Sequence, residues 1–258
     1  MTIPLSDIFD LIYQFVLPFF RIGAMLMAVP VLGARIVPVR VRLVLSLMVV
    51  MAVAPILKLS VDVPLLSLAM FLLIVKELVI GYAIGFCFQL LFQVFSITGQ
   101  LIAMKMGLGF AMMNDPANGV QTTVLSQFFI ILCTIFFVMM DGHLYLIETI
   151  VESFKTFPPG NAAFGPDEFH RVVALASWMF ASSVVFSLPV ITALLFINIA
   201  FGVMSRAAPQ LNIFAVGFPF TLICGLLLMW LGLRDFLGTF NQQTASVFEL
   251  VHQLLRLR

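Results

Sequence analysis

Long uncharged stretches alternate with short polar breaks along the chain. Residues 78–104, 116–140, 172–205 and 207–233 contain no Asp, Glu, Lys or Arg. Each exceeds the roughly 20 residues that a helix rising ~1.5 Å per residue needs to cross a ~30 Å hydrocarbon layer. Two more apolar stretches, 11–32 (broken only by Arg21) and 43–57, and a short one, 63–75, lie upstream. Lipid offers the backbone no hydrogen bonds, so these segments are expected to be helices. The pattern predicts an all-α integral membrane protein of long, bent helices and helical hairpins.

A polar excursion over 148–171 contains Pro158, Pro159, Gly160 and Pro166. It divides the chain into a part of four or five apolar segments, 1–158, and a two-helix part, 159–258. As a straight helix, 172–205 would be about 50 Å long, and Pro189 sits near its middle. A kinked, steeply tilted or partly extramembrane helix is expected. The stretch after it carries Pro209, Gly217, Pro219 and Gly225 and is expected to bend too.

Composition sharpens the class. Of 258 residues, 62% are hydrophobic and 10% charged, too little charge to cover a soluble surface. A net charge of +1 argues against nucleic acid, whose binding draws on basic patches. Asp7 and Asp10 without Lys or Arg in the first ten residues do not make the basic start of a cleavable signal, so the first apolar stretch is expected to stay in the mature protein. Arg35, Arg40 and Arg42 put the first loop in the cytoplasm by the positive-inside rule. Cys87, Cys133 and Cys224 lie in apolar stretches with no CxxC spacing and read as packing residues, with neither disulfide nor metal.

Three groups of residues are candidates for function. Gly81, Gly85, Gln89, Gln93, Ser96 and Gln100 recur at spacings of four and three, which places them along one helical face. Such a face is either a helix–helix seam, with glycines allowing close approach and glutamines bonding across it, or the wetted wall of a conduit. A wall built from subunit seams would be both. The stretch 106–118 interrupts the membrane pattern with Gly107, Gly109, Asn114, Asp115 and Pro116, yet keeps Met106, Leu108, Phe110, Met112 and Met113. Irregular backbone between membrane segments is tolerated where protein buries it or where it lines a cavity, and methionine suits a deformable seal. An ordinary buried re-entrant turn is the other reading. Finally, Arg21 and Glu77 carry charge at membrane depth and are expected to pair, in which case single changes should impair assembly and a charge swap should restore it.

Asp141 and His143 could suggest proton transfer or a metal. Zinc, however, needs three or four convergent ligands, and His170 and His252 offer no matching spacing. No GxSxG elbow supports nucleophilic catalysis. The simpler reading is a helix terminus at Gly142. A secondary transporter would show an intramembrane binding cluster and a symmetric repeat, and the sequence displays neither. An intramembrane enzyme would have to depend on Asp141 or His143.

A set of elements along nearly the whole chain resembles the FliR family, the R-type subunits of the type III export gate. They are Arg21-Ile-Gly23 with Pro30, Pro38-Val-Arg40, Glu77 with Gly81 and Gly85-Phe86, and Gly99 before Gly107. Asp115-Pro116, Asp141-Gly-His143, Ser153 before Pro158, and Pro189 follow. Arg206-Ala-Ala-Pro209-Gln210 and then Gly217-Phe-Pro219 close the set. The resemblance implies a noncatalytic subunit, without cofactor, of the bacterial inner membrane within the flagellar basal body. It implies a P-type fold over 1–158 fused to a Q-type hairpin over 159–258. FliP-like and FliQ-like subunits would join it in an entrance channel for unfolded flagellar substrates, with FlhB-like and FlhA-like partners. The family's plug loop falls on 106–118, which favours the seal. The virulence injectisome counterpart is the close alternative.

Overall fold

The computed structural model describes residues 5–33, 37–57, 63–64, 67–109, 123–160, 165–207 and 213–255. Within these residues the regular elements are helices: α1 (Leu5–Ala28), α2 (Val39–Val53), α3 (Leu68–Lys105), α4 (Val124–Met139), α5 (Gly142–Thr156), α6 (Pro166–Ala207) and α7 (Ile213–Leu254). Helices α3, α6 and α7 are long and apolar enough to cross a membrane, and α4 with α5 forms a bent pair that would make a fourth span. The protein is thus an all-α membrane protein.

Local chemistry sets several helix ends. Ser67 Oγ accepts the Met70 N–H (3.2 Å) at the start of α3, and Thr123 Oγ1 accepts the Ser126 N–H (3.2 Å) at the start of α4. Both satisfy amides that the helix leaves free. At α6 the Glu168 carboxylate reaches back to the Gly165 N–H (2.9 Å), Pro166 takes the first helical position and Asp167 adds negative charge to the first turn, a strong start signal.

Two element boundaries differ from the sequence pattern. Lys76 and Glu77 do not end a segment: α3 runs through them and absorbs the short apolar stretch from Leu68 onward. An ion pair allows this, as described below. Beyond residue 233, α7 continues through Arg234 and Asp235 to Leu254, because backbone bonding does not stop where apolarity does. Helix α6 is unbroken over 42 residues with Pro189 inside it, a length of about 63 Å and so more than a bilayer core requires.

Packing forms two compact units. Residues 1–90, 138–175 and 246–258 make one, and 91–137 with 176–245 make the other. In the first, α1 packs on α2, and Tyr13, Leu17, Met70 and Leu73 form an apolar cluster. In the second, Phe95, Phe236 and Phe240 are buried, with ring centroids 5.3 Å (Phe95–Phe236) and 5.7 Å (Phe95–Phe240) apart. Phe129 stacks on Phe236 at 5.7 Å. Such aromatic pairs contribute about 0.5–1.5 kcal/mol each beyond the area they bury.

Candidate functional site

In the first unit Arg21 is a buried charge whose side chain is fully enclosed. Its Nε donates to Glu77 Oε2 (2.6 Å) and its Nη2 to Glu77 Oε1 (3.0 Å). Nη1 donates to the Ser153 carbonyl (2.9 Å) and hydroxyl (3.0 Å), and Nη2 also donates to the Phe157 carbonyl (2.7 Å). The Phe154 ring lies under the guanidinium, 4.0 Å from Cζ. All five N–H groups that an arginine offers have acceptors, so the forked pair carries no unmet polar atom into the core. Ser153 and Phe157 close the C-terminal end of α5. Arg21 therefore joins α1 to α3 and at the same time tethers the end of α5, where the Ser153 carbonyl accepts from it in addition to the Phe157 N–H (2.9 Å). Ser153 stood out in the sequence as part of a motif, but its role as an acceptor needs the fold.

The small and polar stripe of α3 divides by environment. Gly81 and Gly85 are buried, and both face α1: a Cβ on Gly81 would meet the Arg21 carbonyl oxygen, and one on Gly85 would lie 2.7 Å from Ala28 Cβ and 2.7 Å from the Met25 carbonyl oxygen. Gln89 and Gln93 are exposed, Ser96 is buried and Gln100 half-buried. The Ser96 carbonyl accepts the Ser126 hydroxyl (2.8 Å), and a Cβ on Gly99 would lie 2.8 Å from Ser126 Cα, so α3 and α4 cross at close range.

At its C-terminal end α3 closes on Met106, Gly107 and Leu108. The Gly107 N–H donates to the Met104 carbonyl (3.2 Å) and the Leu108 N–H to the Ala103 carbonyl (3.0 Å), while Gly107 has φ +85°. This is a Schellman cap, in which glycine relieves the left-handed position. Met106 is fully buried, and Gly107, Leu108 and Gly109 are half-buried. Phe110, Met112, Met113, Asn114, Asp115 and Pro116 lie outside the described residues, as do Pro209 and Gln210 of the hairpin motif. Of that motif, Arg206 is exposed in the last turn of α6, and Gly217 (buried) and Pro219 (exposed) lie within α7.

Asp141 and His143 are exposed. Asp141 stands at φ 55° before α5, and its carbonyl accepts the Leu144 (2.8 Å) and Tyr145 (3.2 Å) N–H groups, a corner role. Among the described residues no group of three or more His, Cys, Asp or Glu could hold a metal. A cavity of about 410 Å³ in the second unit is lined by Phe129, Phe186, Pro189, Phe236, Asp235 and Gln243, among others.

The bacterial export proteins, family 1, match residues 12–247. The chain belongs to this family. Its relatives include the flagellar biosynthetic protein FliR of Escherichia coli K12, 38% identical over 212 residues that span 82% of this chain and 81% of the relative. The FliR of Pectobacterium carotovorum is 36% identical over 253 residues, 96% and 95% of the two chains, and that of Aquifex aeolicus 30% over 251 residues, 96% and 95%. The matched span of this export protein contains every residue of the Arg21 cluster, the α3 cap, α6 and most of α7.

Proposed function

We propose that the chain is the R-type structural subunit of a flagellar type III export gate. The observation that carries this reading is the likeness to a flagellar FliR along 96% of the chain and 95% of the relative. The chain is a membrane component of a flagellar export apparatus and associates with other components of that apparatus; it is no enzyme. In the finer reading it sits in the inner membrane within the basal body and joins FliP-like and FliQ-like subunits around an entrance channel for unfolded substrates. FlhA-like and FlhB-like components dock on that assembly. Residues 1–158 act as a P-type fold and 159–258 as a Q-type hairpin.

Support for a subunit rather than a lone protein comes from burial. In its most apolar window α3 is half-buried, whereas α6 is 11% buried and α7 22%. Phe180, Phe196, Ile199, Ile223 and Trp230 are exposed, and such surface is covered by lipid or neighbouring helices.

The stretch 106–118 seals the conduit to ions until a substrate displaces it, a two-state change. Deleting residues 108–112 tests this. The expected result is an assembled complex that leaks ions, read as sodium influx into cells or loss of membrane potential. An assembled complex that stays tight would contradict the seal.

A further inference from the structure

We propose that Gly225 and Phe218 of α7 are positioning residues for the seal. They seat the end of α3 at Met106 and Gly107 and so set the point and direction in which the chain leaves that helix. The inference rests on the reading that the stretch beginning at Met106 closes the conduit.

Two reciprocal fits carry it. The Met106 side chain occupies the space that Gly225 leaves open: a Cβ on residue 225 would stand 2.6 Å from Met106 Cγ and 2.8 Å from both Sδ and Cε. Separations that short are not sustained, so a larger residue at 225 requires the Met106 side chain to shift. About two turns earlier on α7, Phe218 lies over Gly107, where a Cβ would stand 2.9 Å from two ring carbons. Gly107 is also the left-handed residue of the cap, a conformation that other L residues adopt only with strain. Each glycine is thus matched to a side chain of the other helix.

Methionine is the apolar side chain best able to adapt to irregular surroundings, yet this one has no solvent exposure and its N–H is held by the Ile102 carbonyl (2.9 Å). The geometry makes Met106 a fixed seat and Gly107 the pivot. The C-terminal hairpin, through α7, then governs a seal that the N-terminal part carries in sequence.

The test uses the complete complex expressed in cells, with assembly read by co-purification and tightness by sodium influx. Gly225→Ala should leak several-fold above wild type, and Met106→Ala in the same chain should return the leak towards the wild-type level by making room for the added methyl. Phe218→Ala removes bulk from a partly exposed side chain, spares the fold, and should also leak. If Gly225→Ala does not assemble, Phe218→Ala and the Met106→Ala/Gly225→Ala pair carry the test. Tight Gly225→Ala and Phe218→Ala complexes, or a pair that leaks as much as Gly225→Ala alone, would overturn the seat. If the 108–112 deletion leaks while these variants stay tight, the seat alone fails. If the deletion is tight as well, the sealing reading fails with it.

Discussion

Arg21 shows how a single residue can carry charge into an apolar interior. Removing one member of a buried, hydrogen-bonded ion pair costs about 3–5 kcal/mol, because the other is left uncompensated. Arg21→Ala and Glu77→Ala should therefore each sharply lower the amount of folded subunit and its melting temperature in detergent. The charge swap expected from the sequence to restore assembly should fail. A glutamate at position 21 would set a carboxylate against the Ser153 and Phe157 carbonyl oxygens, acceptor against acceptor. Arg21→Lys should also fall well short of wild type, since an ammonium does not present a planar fork. Full stability in the swap or in the lysine variant would show that the α5 carbonyls do not depend on the guanidinium. That Arg21 and Glu77 would need partners was legible in the sequence, because unpaired charge is costly in lipid. The two carbonyls were not, because backbone acceptors leave no trace in residue type.

At the scale of elements, close approach rather than apolarity distinguishes one helix surface from another. Inside a membrane, helices gain little from burying apolar surface against each other and associate through packing and short contacts. Gly81→Ala places a methyl against the Arg21 backbone, which cannot turn away as a side chain could. Helix α1 must then back off, and overpacking of this kind costs about 1–3 kcal/mol. The variant should lower the melting temperature of the purified subunit, and an unchanged value would contradict the contact. The period of the α3 stripe was visible in the sequence, whereas its division into buried Gly81 and Gly85 and exposed Gln89 and Gln93 depends on which neighbours the fold supplies. The capping chemistry at Ser67, Thr123 and the Pro166-Asp-Glu168 start is local, though apolar run lengths alone do not reveal it. The passage of α3 through Glu77 was not legible, since it relies on an arginine 56 residues away.

For the whole molecule, the apolar run lengths alone were enough to place the chain in a membrane, and its motifs pointed to its family. They could not define the two compact units, each of which gathers segments far apart in sequence. Long helices can join such segments because a continuous α-helix carries its register over tens of ångströms. Nor could they reveal the phenylalanine cluster, because Phe95, Phe129, Phe236 and Phe240 each sit in a stretch that is apolar on all sides. The exposed apolar faces of α6 and α7 fit a subunit whose neighbours complete its packing. The most direct measurement is made in the bacterium that encodes the chain: its gene is removed, then restored with a tagged copy, and flagellar proteins in the medium are quantified alongside those co-isolated with the tag. Export of flagellar substrates should stop on removal and return with the tagged copy, which should bring P-type and Q-type subunits with it. Undiminished flagellar export in the deletion strain would contradict the account.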